Sequence, residues 1–481
     1  YEEWQYQRDR IAKLYSLSTQ QLKEKKINLD SIVNDANDRE KELSKLSDVF
    51  AKEYEKKQVK WEDVQNALKL DEAAVEIIRF RYSIKGHFTD TVYYAALINR
   101  RRLPPPAPKS SGDMRIVLLT NGNDLETASV LNYNKNVMNK SQDYDSYNLF
   151  WAAIAKELYG IKKVYFSPDG VYNQLNLNTI YNPATQKYVI DEIDIHLVGS
   201  TRDLVNNTQN LTSPLVKSAE LFGDPKFNLD STEHLQLTRN YTRTDMANID
   251  RGVLDSLTKR GGISPLPGTR KEVENIGELL KQQNWDVKSH LGDEALEEAL
   301  KSVKNPGILH IATHGVFMKD IENTNESGRA FGMDTKRYIE NPLLKSMLLF
   351  AGAEKTINNQ GKNFSDIRLD DGLLTAYEAQ NLNLDKTDLV VLSACETGLG
   401  EIKNGEGVYG LQRAFIQAGA KSLIMSLWNV SDEATQELMT TFYKEWLSGK
   451  SKREAFKNAQ QEIRAKYKDP YYWGAFVIVG E

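Results

Sequence analysis

Among 481 residues there is a single cysteine, Cys395. No intramolecular disulfide can form, and no zinc cluster of several thiolates is available. One thiol fits a reducing, cytoplasmic setting. An excess of charge is also missing. Lys and Arg number 62 against 67 Asp and Glu, a net charge of −5, where a dedicated nucleic-acid binder would carry a basic stripe. Arg100-Arg101-Arg102 is too short to supply one and adjoins a Pro-rich loop. No apolar run is long enough to span a bilayer. The sequence opens at Tyr1, not Met, on a charged helical pattern, with no signal peptide in view. Residues 1–70 contain neither glycine nor proline, so they lack the usual turn punctuation.

What remains is ordinary globular material. Hydrophobic residues make up 40% and charged residues 27%, which excludes collagen, low-complexity sequence and wholesale disorder. At about 100–200 residues per domain, the length allows roughly two to four domains. In residues 1–70, Trp4, Ile11, Leu14 and Tyr15, then Leu43, Leu46, Val49, Phe50 and Tyr54, recur at helical spacing. They predict a helical arm, or the end of a longer helical array, with a break near Asn28-Leu29-Asp30 and Asp30 as a cap. From about Ala73 the pattern turns to strands, over 75–82, 92–98 and 114–119. A helix is expected over 145–159, and Asp169-Gly170 reads as the turn of a hairpin. Residues 71–215 thus form a first α/β unit and 216–481 a second. In the second, Thr269 and Glu272 carry the spacing of a capping box. A helix is expected from Asp293. Buried strands over 308–312, 388–393 and 422–427 alternate with helices over 407–418, 432–448 and 451–466. This alternation argues for an α/β fold with a mostly parallel sheet flanked by helices.

In such sheets functional groups gather beyond the carboxyl ends of strands. Ile308-Leu309-His310-Ile311-Ala312-Thr313-His314-Gly315 and Val390-Val391-Leu392-Ser393-Ala394-Cys395-Glu396-Thr397-Gly398 place His314 and Cys395 just past two strand ends. On adjacent parallel strands the imidazole would meet the thiol and activate it as a nucleophile. Gly315 lets the backbone turn after His314, and its N–H with that of Cys395 would form an oxyanion hole. His310 stands four residues before His314, about 13 Å away along a strand, too far to share a metal. It reads as a packed core histidine. His87, His196, His234 and His290 have no partners visible in sequence. No metal site and no cofactor are implied.

These stretches resemble the CHAT domain, a caspase- and separase-related cysteine peptidase family often fused to tetratricopeptide repeats. So do Asp371-Gly372-Leu373-Leu374-Thr375-Ala376, Gly405-Glu406-Gly407-Val408, Gly410-Leu411-Gln412-Arg413-Ala414-Phe415, Ser426-Leu427-Trp428-Asn429-Val430-Ser431-Asp432 and the terminal Trp473-Gly474-Ala475-Phe476. Leu221-Phe222-Gly223-Asp224-Pro225 and Leu266-Pro267-Gly268-Thr269-Arg270 also match, with no role attached. The resemblance covers about 71–481 and is densest from 306 onward. It implies a caspase-like core with His314 as general base, Cys395 as nucleophile, and Gly315 with Cys395 as oxyanion donors. It implies further that 71–215 is a catalytically silent, pseudo-protease-like support unit. Asp432 in the Trp-x-Val-x-Asp segment would line the S1 pocket and pair with a basic P1 side chain, with Glu406 a second acid at the same mouth. The same Ser431-Asp432 pair reads equally as a helix N-cap, and Glu406 as a helix-start carboxylate.

The expected function is a cysteine endopeptidase with a Cys–His dyad, cleaving a protein substrate after a defined, basic residue. Long polar tracts at 323–328 and 358–363, between the His and Cys strands, point to gating loops ordered by a partner. An activating protein could engage the helical arm. The alternatives are a non-catalytic scaffold with this fold and a thiol acyl-transfer enzyme that leaves peptide bonds uncut.

Overall fold

The computed structural model describes residues 7, 10, 11, 14, 22, 23, 26–46, 59–101, 114–207, 215–229, 231–238, 241, 263–317, 329, 330, 333, 334, 342–344, 346–358, 370–396 and 406–480. In chain order, helices α1 (Leu29–Leu46) and α2 (Trp61–Ala67) precede strands β1 (Glu72–Ile84), β2 (His87–Arg100), β3 (Arg115–Leu119), β4 (Lys163–Ser167) and β5 (Asp194–Leu197). Strand β6 (Ser218–Pro225), helix α3 (Pro267–Gln282), strand β7 (Asp286–Gly292) and helix α4 (Glu297–Lys301) follow. Then come β8 (Ile308–Phe317), β9 (Ser346–Leu349), β10 (Leu373–Thr375), helix α5 (Ala376–Ala379) and β11 (Leu389–Glu396). The chain continues through α6 (Glu406–Gln417), β12 (Ser422–Ser426), α7 (Asp432–Leu447), α8 (Lys452–Lys466) and β13 (Phe476–Gly480).

Two compact units share these elements. The first takes Tyr1–Lys57, Val216–Gly398 and Gly410–Ala420; the second takes Gln58–Leu215, Leu399–Tyr409 and Lys421–Glu481. In the first, β8 is the central strand. It pairs parallel with β11, and over Ile308–Ala312 parallel with β6, which in turn pairs parallel with β7. Ile308 through Ala312 are fully buried, which fits a continuous apolar run in a central parallel strand. Beyond His314 the chain of β8 pairs antiparallel with β9, Gly315 opposite Leu348, and β9 pairs antiparallel with β10. Helix α3 buries Val273, Ile276 and Leu280.

In the second unit the strand order is β12-β13-β5-β4-β1-β2-β3. Strand β4 runs parallel to β1 and to β5, and β5 parallel to β13 through Leu197 and Val479. The pairs β1–β2, β2–β3 and β12–β13 are antiparallel. The architecture is the expected α/β type, a largely parallel mixed sheet flanked by helices.

Several local expectations fail, each for a physical reason. Asp30 does not cap α1; the Asn28 carboxamide accepts the Ser31 N–H at 3.1 Å. Asp169-Gly170 opens a 3₁₀ turn over Gly170–Gln174, not a hairpin. There the Asp169 carboxylate accepts the N–H groups of Arg79 and Gly170, and the Tyr94 hydroxyl accepts that of Val171. Helix α4 starts at Glu297, behind Leu296, rather than at Asp293. Helix α3 starts at Pro267, so Thr269 is its third residue, not its cap. The Pro-rich loop at 104–108, the tract at 323–328, residues 359–363 and most of 1–25 and 47–58 lie outside the described residues.

Candidate functional site

His314 and Cys395 are not past their strand ends but within them. Antiparallel pairing with β9 carries β8 on to Phe317, and β11 runs to Glu396. Across the parallel ladder His314 stands directly opposite Cys395, and Gly315 opposite Glu396. Directly opposed positions on neighbouring strands share a face of the sheet. The backbone register therefore brings together the two positions, 81 residues apart in sequence, that the sequence nominated.

The His314 ring is buried. Its Nε2 lies 2.9 Å from the main-chain oxygen of Ser264. A carbonyl oxygen only accepts, so Nε2 is the donor, and whenever the ring is neutral Nδ1 is its basic nitrogen. The ring packs against Phe227, centroids 5.3 Å apart at 35°. Phe227 belongs to an apolar cluster with Ile263, Val316, Met347 and Leu349. The imidazole thus has an apolar wall on one side and a hydrogen-bond anchor at one nitrogen. Sequence reasoning missed both Ser264 and Phe227. A main-chain oxygen leaves no side-chain signature, and a lone phenylalanine reads as core.

Four further histidines, His310 and His234 buried and His290 and His196 half-buried, are spent on carboxylates. His310 Nε2 is 3.0 Å from Glu272, His234 is 3.1 Å from Glu298, His290 is 2.8 Å from Glu220, and His196 is 2.8 Å from Asp194. His310, fully buried, is a core histidine that ties β8 to α3. Among the described residues no group of His, Cys, Asp and Glu is arranged to hold a metal ion, and no helix is long and apolar enough to cross a membrane.

Asp432 and Glu406 fall in segments of the second unit, His314 and Cys395 in the first. Asp432 is the exposed first residue of α7; its neighbour Ser431 is the N-cap, accepting the Ala434 N–H at 3.4 Å. Glu406 is the first residue of α6. Trp428, within the same motif as Asp432, is buried and donates from Nε1 to the Tyr471 carbonyl at 3.0 Å.

Comparison with known proteins places these elements in a family. Two curated proteins similar to this chain are the human (Homo sapiens) and mouse (Mus musculus) tetratricopeptide repeat protein 28. The human protein is 26% identical over 220 residues, 45% of this chain and 8% of that protein. The mouse protein is 30% identical over 110 residues, 22% of this chain and 4% of that protein. The chain therefore spans less than a tenth of the length of these relatives. Among solved structures, the Arg-specific cysteine proteinase gingipain R is similar at a TM-score of 0.34 and 9% identity, over 75% of this chain and 68% of that one. The Saccharomyces cerevisiae separase–securin complex is similar at 0.33 and 13%, over 66% and 15%. The sequence model of the CHAT domain matches residues 146–481, more than two thirds of the chain, including both β8 and β11. The chain belongs to the CHAT domain family.

Proposed function

We propose that the chain is a cysteine endopeptidase with His314 and Cys395 as its dyad. The observation that carries the reading is the register of β8 on β11, which sets these two positions opposite each other. Family membership supports it, and so does the protonation pattern of the imidazole, which leaves Nδ1 basic. In this reading Nδ1 takes the proton of the Cys395 thiol, and the thiolate attacks the scissile carbonyl carbon. The tetrahedral oxyanion is held by the N–H groups of Gly315 and Cys395. His314 returns the proton to the leaving amine, and water then hydrolyses the thioester.

The finer parts belong to the same proposal. A basic P1 side chain is paired by Asp432, with Glu406 as a second acid, because a carboxylate and a guanidinium fix each other in a bidentate pair. Residues 1–70 are an arm for an activating protein, 71–215 a support unit, and 216–481 the peptidase portion. Binding of a partner or ligand gates the activity.

Intact-mass labelling with a peptidyl acyloxymethyl ketone carrying Arg at P1 tests the core of the reading. With one cysteine in the chain, a single adduct identifies Cys395. The adduct is expected on the wild type and absent from Cys395→Ala and His314→Ala. Absence from the wild type, with and without added partners and across P1 side chains, would favour the scaffold. Asp432→Ala should lose Arg and Lys cleavage while Cys395 still alkylates; an unchanged P1 preference would remove Asp432 from the pocket.

A further inference from the structure

Two sequence motifs, Leu221-Phe222-Gly223-Asp224-Pro225 and Leu266-Pro267-Gly268-Thr269-Arg270, have so far no part in the chemistry. We infer that Asp224, Thr269 and Arg270 form a clasp that holds the Ser264 carbonyl on His314, making them positioning residues for the base. The inference rests on the reading of His314 as the base.

The clasp begins where β6 ends. Asp224 adopts φ +48°, a left-handed conformation that a non-glycine residue keeps only where its surroundings over-determine it. Its main-chain N–H donates to Thr269 Oγ1 at 2.8 Å, and its carboxylate accepts from Arg270 Nε at 2.8 Å. Arg270 also lies 3.9 Å from Glu274 one turn on. The Thr269 hydroxyl, having accepted from Asp224, donates to the Leu266 carbonyl at 2.7 Å. One hydroxyl thus ties the end of β6 to a residue two positions from Ser264.

Little freedom remains between that tie and the imidazole. Pro265 fixes its own φ and steers Ser264 away from helical backbone. Further along α3, Glu272 bonds to His310, which lies on the same strand as His314 and, four residues away, on the same face. Helix α3 is therefore registered twice, against the end of β6 and against β8. The Ser264 carbonyl is carried on the segment that enters this helix. What the carbonyl decides is which ring nitrogen holds the proton. If the clasp only stabilised α3, loosening it would lower stability and leave the tautomer alone.

The test reads the tautomer directly, so it does not depend on activity. Nitrogen-15 imidazole correlation spectra of the full chain contain six histidines, and His314→Gln assigns the relevant resonance. Wild type is expected to show the Nε2–H tautomer. Thr269→Val should give a tautomer mixture at His314. It should also slow alkylation of Cys395 by iodoacetamide about five- to tenfold, the scale of one net hydrogen bond. Thr269→Ser, which keeps the hydroxyl, should restore both. Arg270→Met loosens the clasp from a side chain that is 43% exposed. It should shift the tautomer in the same direction by less, and it decides the matter if Thr269→Val fails to fold. An unmixed Nε2–H tautomer in both Thr269→Val and Arg270→Met would overturn the inference. A tautomer shift in a protein whose wild type takes no acyloxymethyl ketone label would uphold the clasp and sink the peptidase reading instead.

Discussion

Lys301 places one ammonium among three carboxylates. Its Nζ lies 2.6 Å from Glu297, 3.1 Å from Asp370 and 3.2 Å from Glu378. Burial pushes the Glu297 carboxyl well above its ordinary range; Lys301 opposes the shift, and Asp370, Glu378 and Asp371 add to it. The native state then holds a proton that the unfolded chain releases near pH 4.5. This contribution to stability is complete below that pH and is lost as pH rises through the raised folded value, at up to about 1.4 kcal/mol per pH unit. Glu297→Gln keeps the shape without the titration. Melting temperature against pH should fall less steeply above about pH 4.5 in this variant than in wild type. Superimposable curves would place the proton elsewhere. Glu378→Gln is a poor substitute test, because the Glu378 carboxylate also accepts from the N–H and hydroxyl of Thr375 at the start of α5.

At the scale of elements, the approach of α3 to β6 sets a steric limit. A Cβ on Gly223 would stand 2.7 Å from Val273 Cγ2 and 3.0 Å from the Thr269 carbonyl. Val273 is fully buried, so neither neighbour can give way cheaply. Gly223→Ala should cost about 1–3 kcal/mol, the usual range for overpacking. Val273→Ala in the same chain should recover part of that, measured by denaturant unfolding. A Gly223→Ala protein as stable as wild type would mean the helix is loosely seated. The same elements show what the sequence revealed and what it hid. Strands β8 and β11 were legible because buried parallel strands are continuous apolar runs, and positions 314 and 395 were nominated because they follow those runs, which is what the ladder then sets opposite each other. The roles of Thr269 and Glu272 were not. Their spacing is that of a capping box, and local chemistry cannot distinguish a cap from side chains spent on Asp224 and His310. Asp169-Gly170 misled in the same way, since the partners that bend it into a 3₁₀ turn, Arg79 and Tyr94, lie far away in sequence.

At the scale of the molecule, the two compact units are interleaved along the chain. Gln58–Leu215 is grouped with Lys421–Glu481, and the reason is visible in their bonds. The Arg453 guanidinium of α8 donates to the carbonyls of Leu197 and Gly480, joining β5 to β13. The Asn176 carboxamide donates to the Gly474 carbonyl at 2.7 Å, and Lys457 lies 3.1 Å from Asp194. Arg464 pairs with Asp191 at 2.7 Å, and the Tyr188 ring meets Trp473 edge-on at 5.4 Å. Without the last sixty or so residues, each of these groups on the earlier segment loses its partner, and the buried ones face a desolvation cost. A sequence pass could find the strands of both segments, but their grouping depends on pairings more than 200 residues apart. A fragment spanning 58–215 is therefore expected to melt without cooperativity when expressed alone, followed by circular dichroism. Co-expression with a second fragment spanning 421–481 should restore a sharp transition and co-purification. A cooperative transition in 58–215 alone would make the earlier segment an autonomous domain, with the C-terminal strands a later addition to its edge.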